Sequence, residues 1–166
     1  ESFKVPVKPG RNLTPMMGVK PGLILTFREE GTLPVENGFL QPDIAQDAVQ
    51  VSVVERHGIN GNIGHGFVKG FGLKRGAIGS SVGHDSHIIT VIGATHEDMA
   101  VATNRIIEMQ GGFVVADQGK VVAELALPIA GLMSELPFEE VATKLEVLRD
   151  AAHELGCVLP EPFLQV

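Results

Sequence analysis

An α+β fold, a mostly antiparallel β-sheet with helices packed on it, is what the pattern of this chain predicts. Three observations carry that reading. Short alternating or β-branched runs lie between Val49 and Gly93. Two later segments repeat their apolar residues at helical spacing. A hairpin signal lies between those segments, so the order is strands, helix, hairpin, helix.

Taken along the chain, residues 1–17 are polar and contain Pro6, Pro9 and Pro15. They read as a linker or extended arm, and residues 18–166 as one domain. Val19 to Thr26 is a short apolar run holding Pro21 and Gly22, which fits an edge strand. Gly31 to Asp47 carries Pro34, Gly38 and Pro42 and reads largely as loop. Val49, Val51 and Val53 alternate with Gln50 and Ser52, the pattern of a half-buried strand that runs into Glu55-Arg56-His57. Gly64 to Gly72 and Gly76 to Val82 read as glycine-rich strands. His87 to Gly93 holds Ile88, Ile89, Thr90, Val91 and Ile92, apolar on both faces, and is expected in the middle of the sheet.

Thr95 precedes His96-Glu97-Asp98 in the form of a helix N-cap with acids in the first turn. Met99, Ala102, Ile106 and Met109 then make one helix face, and Gly111-Gly112 supplies a left-handed stop. Phe113 to Ala116 and Lys120 to Leu127 form a hairpin around Asp117-Gln118-Gly119. The last helix starts with Pro137 in its first turn. It carries Phe138, Val141, Leu145, Leu148, Ala152 and Leu155 on one stripe, and Gly156 closes it.

Composition excludes several function classes. The chain has 166 residues and 44% are apolar, enough for one sizeable core. The net charge is −7. Nucleic acid is therefore not an expected partner, because phosphate binding needs a basic patch. The densest basic group, Lys69 with Lys74 and Arg75, reads as a solvated strand end. No apolar run approaches the roughly 20 residues needed to span a bilayer, so a membrane is not expected either. There is one cysteine, Cys157. No internal disulfide can form, a reducing, cytoplasmic setting is expected, and Cys157 reads as an indifferent thiol. The first residue is Glu1 rather than Met, which reads as a cut or processed piece.

Chemistry has four candidate locations. His84, Asp85, Ser86 and His87 put acid–base groups and potential ligands between two predicted strands. The cluster fits a locally satisfied turn, a polar loop facing a substrate, or a metal site made from His84, Asp85 and His87 with a further ligand from elsewhere. Arg56 and His57 leave the first regular strand, either as solvated groups or as neighbours of the His84 loop. The glycines from Gly58 to Gly83 lie within predicted strands with no helix after them, so they do not make a nucleotide cradle. His96 and His153 read as surface residues.

Several segments together resemble the C-terminal domain of microbial adenine deaminases of the amidohydrolase superfamily. They are Gly18-Val19-Lys20-Pro21-Gly22, Val53-Val54-Glu55-Arg56-His57, Gly61-Asn62-Ile63-Gly64 and Gly66-Phe67-Val68-Lys69-Gly70-Phe71-Gly72-Leu73. Gly76-Ala77-Ile78, His84-Asp85-Ser86-His87, Asp98-Met99, Asn104-Arg105 and Leu127-Pro128-Ile129-Ala130-Gly131-Leu132-Met133-Ser134 follow in order. The resemblance spans about residues 18–165. It departs from the family pattern at Gly83, where many members have Ala, and at Ile88, where the family tends to place Asn.

The resemblance implies hydrolysis of adenine to hypoxanthine and ammonia, in purine metabolism. A divalent metal (manganese, iron or zinc) would activate water for attack on the ring carbon bearing the amine. Its ligands would lie on a (β/α)₈ barrel that precedes this domain. No barrel alternation occurs in this chain, and the family pattern continues beyond residue 166. The expected partners are the chain's own N-terminal barrel domain, adenine and further copies of itself in a homo-oligomer. No catalytic residue and no metal is expected within this domain, and the domain alone is expected to be inactive. His84, Asp85, Ser86, His87, Arg56 and His57 are the substrate-side candidates. Two other readings stand beside this one: a non-catalytic assembly or stability module, and an independent metal site at His84, Asp85 and His87.

Overall fold

The strand that starts near Val49 sets the architecture: its alternation predicts one buried face, but Gln50 and Ser52 are fully buried as well, so a packed layer lies on each side of it. The computed structural model describes residues 2–8, 10, 13–23, 25–83 and 86–166. In chain order its strands are β1 (Val5–Pro6), β2 (Thr14–Gly18), β3 (Phe27–Gly31), β4 (Val35–Glu36), β5 (Phe39–Leu40), β6 (Ala48–Val54), β7 (Ile63–Lys69), β8 (Ala77–Ser80) and β9 (Ile89–Gly93). Helix α1 (His96–Glu108) follows, then β10 (Gly112–Asp117), β11 (Lys120–Ala126) and helix α2 (Phe138–Glu154).

Among the described residues the main sheet has eight strands, in the order β11-β10-β8-β9-β6-β7-β2-β3. Its pairs are antiparallel except β2 with β7. The fold is therefore the α+β, mostly antiparallel arrangement expected, and β9 lies in the interior of the sheet as its two-faced apolar run predicts. A smaller sheet, β1-β5-β4, packs beside it.

The two helices lie on opposite faces. Val49, Val51, Ile78, Ile92 and Val115 form one core with Leu148, Ala152 and Leu155 of α2. Val54, Ala77, Val91, Val114 and Ala116 form the other with Met99, Ala102 and Ile106 of α1. Successive residues of one strand thus serve different helices, as the period of two requires. The small sheet covers the far end of the α1 face, where Val5 and Leu40 pack on Met16 and Phe67.

Caps fix the helix ends. Thr95 Oγ1 accepts the Asp98 N–H at 3.2 Å, as expected. At the other end of α1 the left-handed residue is Gln110 (φ 62°), not a glycine. Its N–H reaches Ile107 O at 3.0 Å, and the Gly111 N–H reaches Ile106 O at 2.9 Å, a Schellman closure. Gly111 and Gly112 serve close packing instead: a Cβ on Gly111 would stand 3.0 Å from Leu127 O. Gly156 closes α2 as expected, with φ 102°.

Several expectations shift. Between Val19 and Thr26 none of the described residues is in a strand; strands β2 and β3 lie on either side. Leu23 and Leu25 are exposed, and Pro21-Gly22 makes a turn. Part of the stretch read as a linker or extended arm runs along the domain: Phe3 and Met16 are buried, and β2 joins the main sheet. Pro137 is the N-cap of α2, one residue before its first turn. Phe138, placed on the apolar stripe by spacing, is 81% exposed, because the helix meets the core only further along. His96 is half-buried rather than a surface group. Its Nε2–H donates to Gln50 Oε1 at 3.0 Å, and Gln50 in turn donates to Phe3 O at 2.7 Å and to Ser52 Oγ at 3.1 Å. Burial, with Lys4 and His65 nearby, lowers the His96 pKa. His153 is exposed as expected and donates to Leu159 O at 2.9 Å.

Leu148 is fully buried against the sheet. Leu148→Ala is expected to lower unfolding free energy by about 2–5 kcal/mol, while Phe138→Ala changes it by less than about 0.5 kcal/mol. Denaturant midpoints of the two variants check this; equal losses would contradict the packing described.

Candidate functional site

The site follows from the register of two strands. β6 and β9 are antiparallel, with Val54 opposite Ile89. Carried past the last ladder pair, that register sets Glu55 against Ile88, Arg56 against His87 and His57 against Ser86. The backbone ladder stops there, and side chains take over. The Arg56 Nε–H donates to His87 O at 2.6 Å. The His57 Nε2–H donates to Ser86 O at 3.0 Å, which places the ring proton on Nε2. Two consecutive side chains thus hold two consecutive carbonyls. Sequence reasoning left the adjacency of these segments open; the structure brings Arg56, His57, Ser86 and His87 together.

The turn they hold is closed on itself by the His87 N–H, which reaches Gly83 O at 3.1 Å. His84 and Asp85 lie outside the described residues. His87 adopts φ 48°, uncommon for a residue with a Cβ. Its Nδ1 is buried and has no hydrogen-bond partner among the described residues. Such a group is either a cost to the fold or a place kept for something else.

A third segment joins from the loop after β11. The other arm of the Arg56 guanidinium, Nη2, donates to Ala130 O. Ala130 also sits in the left-handed region (φ 57°), as does Gly131 (φ 75°). A Cβ on Gly131 would lie 2.6 Å from Arg56 Cζ, so the missing side chain makes room for the guanidinium. Ser81, just past β8, anchors the same loop. Its hydroxyl donates to Gly131 O at 2.7 Å and accepts the Gly112 N–H at 2.8 Å. Ala130, Gly131 and Ser81 were not among the sequence candidates for the site. The signal available was Gly131, three residues after Pro128 inside a segment of the family pattern.

Glu55 entered the sequence reading only as part of the charged exit from the strand, and its role there was missed. Its carboxylate accepts the N–H of Ile59 at 3.1 Å, of Asn60 at 3.3 Å, of Gly61 at 3.1 Å, and of His57. Desolvation raises its pKa, but the N–H groups of Gly61, Asn60, His57 and Ile59 together outweigh that and leave it below the ordinary value. The 57–61 loop is therefore wrapped around one anion. Beside it lies an open cleft of about 680 Å³ whose wall includes Arg56, Ile59, Ile89, Ile106 and Gln110. Arg56 belongs to both the cleft and the turn.

For a divalent metal the described side chains fit poorly. Among the described residues no three His, Cys, Asp or Glu groups stand close enough to hold one. His57 Nε2 is occupied by its bond to Ser86. Cys157 is remote in role: it is buried, and burial raises its pKa, with Asp47 adding to the rise against a hydrogen bond from Leu159.

The family model described as "Adenine deaminase C-terminal domain" matches residues 23–166. A protein named adenine deaminase from Methylobacterium sp. (strain 4-46) is 60% identical over 166 residues, covering 100% of this chain and 29% of its own length. Adenine deaminase 1 of Rhizobium johnstonii is 55% identical over 164 residues, covering 99% of this chain and 28% of its own. Adenine deaminase 1 of Agrobacterium fabrum is 53% identical over the same number of residues. The chain thus spans less than a third of the length of these relatives.

The depressed Glu55 value has a signed consequence. A carboxylate held below its unfolded pKa contributes stability above that unfolded value and loses it as pH falls through the folded one. The amide resonances of Ile59, Asn60 and Gly61 are expected to shift together on acidification, with a midpoint below the ordinary glutamate value of about 4.3. In Glu55→Gln they stay flat. A midpoint at or above the ordinary value would contradict the assignment.

Proposed function

We propose that this chain, which belongs to the adenine deaminase C-terminal domain family, is the accessory lobe of an enzyme that hydrolyses adenine to hypoxanthine and ammonia. In this reading its 83–87 turn faces the substrate. The convergence of three separated segments on Arg56 carries the reading. Glu55-Arg56-His57, Ser86-His87 and Ala130-Gly131 are all parts of the family pattern, and they meet at one end of the sheet. A turn held by a guanidinium and an imidazole, with left-handed His87 in it and left-handed Ala130 in the loop it is tied to, is strained geometry of the kind that gathers at working sites.

The reacting groups proper belong to the preceding barrel domain, which is the partner we assign to this lobe. A divalent metal (manganese, iron or zinc), when bound there, activates the attacking water. The contribution of this chain is to shape and close the substrate side. The groups assigned to that role are His84, Asp85, Ser86 and His87, with Arg56 and His57 holding the His87 and Ser86 carbonyls. We place the whole enzyme in the cytoplasm. No helix of the described residues is long and apolar enough to cross a membrane.

A second reading, an assembly surface, has its own support. The α2 face of the sheet is left open at its β6-β7-β2 end, where Met17 is 45% exposed and Val53, Gly64 and Gly66 line a shallow hollow. Leu23 and Leu25, in the connection from β2 to β3, are exposed as well. This surface suits burial against the barrel domain or a second subunit in a homo-oligomer. Met17→Asp in the full-length protein is expected to shift its mass in solution or the protease sensitivity of the junction between lobes; a variant unchanged in both would remove this reading.

The principal test is His84→Ala in the full-length protein. The expected outcome is a fall in kcat/KM for adenine of about tenfold or more, with the fold intact by circular dichroism. An unchanged kcat/KM would remove the substrate-side assignment. The isolated domain is expected to form no hypoxanthine from adenine.

A further inference from the structure

Arg56 has the chemistry of an anion-binding residue, but its donors are aimed at the backbone. Nε–H meets His87 O at 2.6 Å and Nη2–H meets Ala130 O. Both acceptors belong to residues that have a Cβ and still sit at positive φ, 48° and 57°. Each conformation is disfavoured by itself and persists only where its surroundings over-determine it. Here one rigid fork satisfies the carbonyls of both. Gly131 is adjacent, and a Cβ there would stand 2.6 Å from Arg56 Cζ and 2.8 Å from Nη1. Ser81 secures the Gly131 carbonyl at 2.7 Å.

We propose that Arg56 is a positioning residue. Its guanidinium locks the exit of the 83–87 turn to the Ala130-Gly131 loop, and it acts on the reaction only through that turn, without touching substrate. The inference rests on the reading that the turn faces the substrate. It follows from geometry rather than charge. A guanidinium presents several N–H donors in one fixed plane, enough to meet two carbonyls approached from different segments, and an ammonium on a flexible stem does not reproduce that fork. His57 holds the preceding carbonyl, Ser86 O, at 3.0 Å. It therefore fixes the position of the turn but leaves its join to the 130–131 loop to Arg56.

The test uses the full-length protein with Arg56→Ala, Arg56→Lys, Gly131→Ala and His84→Ala. Gly131→Ala keeps the arginine and displaces its guanidinium, so it serves if Arg56→Ala does not fold. Steady-state kinetics with adenine are read beside hydrogen–deuterium exchange of the peptide covering residues 83–88. Arg56→Ala and Arg56→Lys are expected to lower kcat/KM alike, by about 10- to 100-fold, and to speed exchange in that peptide while leaving peptides of α1 unchanged. Methylguanidinium at tens of millimolar restores activity and slows exchange in Arg56→Ala, and does neither in Gly131→Ala. An Arg56→Lys protein with full activity would overturn the proposal, because a point charge would then suffice. So would wild-type exchange of the 83–88 peptide in Arg56→Ala. If His84→Ala proves silent, the substrate-side reading falls, and the exchange data alone still decide whether Arg56 holds the turn.

Discussion

The antiparallel register between β6 and β9 is the constraint on which the site depends. Val54 lies opposite Ile89, and every residue beyond that pair inherits its partner from this alignment. A slip of β6 by one residue would exchange its faces and send Val54 away from α1. The core therefore holds the register, and the register places Arg56 across from His87. In this sense α1 and α2 set the geometry at the sheet end. Their buried stripes fix which way β6 faces, and that orientation decides which side chains arrive at the turn.

Beyond the last ladder pair the chain changes its means of pairing. Backbone N–H groups give way to a guanidinium and an imidazole, and the carbonyls they satisfy belong to residues that could not continue a strand. The same substitution occurs in the 57–61 loop, where a single carboxylate replaces the acceptors a strand would have offered. Buried or half-buried backbone groups must find partners, and a chain leaving a sheet finds them in side chains or in water. Charged side chains do this with more directional strength than neutral ones. The result is a sheet end whose shape is specified by Glu55, Arg56 and His57 in succession, three residues that sequence reading treats at first as a solvated strand exit.

Much of the architecture was legible because local and tertiary signals agree in it. Thr95, the Met99-to-Ile106 stripe, the Asp117-to-Gly119 hairpin and the β6 alternation each combine a propensity with a burial pattern. The reading failed where those signals part. Leu23 and Leu25 are apolar but exposed, so the run from Val19 to Thr26 resembles a strand that its described residues do not form. The true strand, β3, is Phe-Arg-Glu-Glu-Gly, exposed along most of its length, and carries no alternation to detect. Phe138 has the right spacing but lies beyond the reach of the sheet. At the site, the residues themselves were legible and their adjacency was not. A strand order that puts β9 between β8 and β6 is a long-range fact with no local trace. The part played by Ala130 and Gly131 was hidden for the same reason.

An eight-stranded sheet that does not close has two open rims, and each offers unpaired peptide groups to any other extended polypeptide. One rim is β3, whose Arg28, Glu29 and Glu30 put mixed charge along it, with Arg28 and Glu30 joined at 2.7 Å. The other is β11, where Lys120 and Glu124 play the same part, and Arg105 is drawn to Glu124 at 2.6 Å. Charge along a rim makes stacking of one molecule on the next unfavourable. The consequence is a lobe whose two rims resist edge-to-edge pairing although the apolar hollow around Met17 lies open beside one of them.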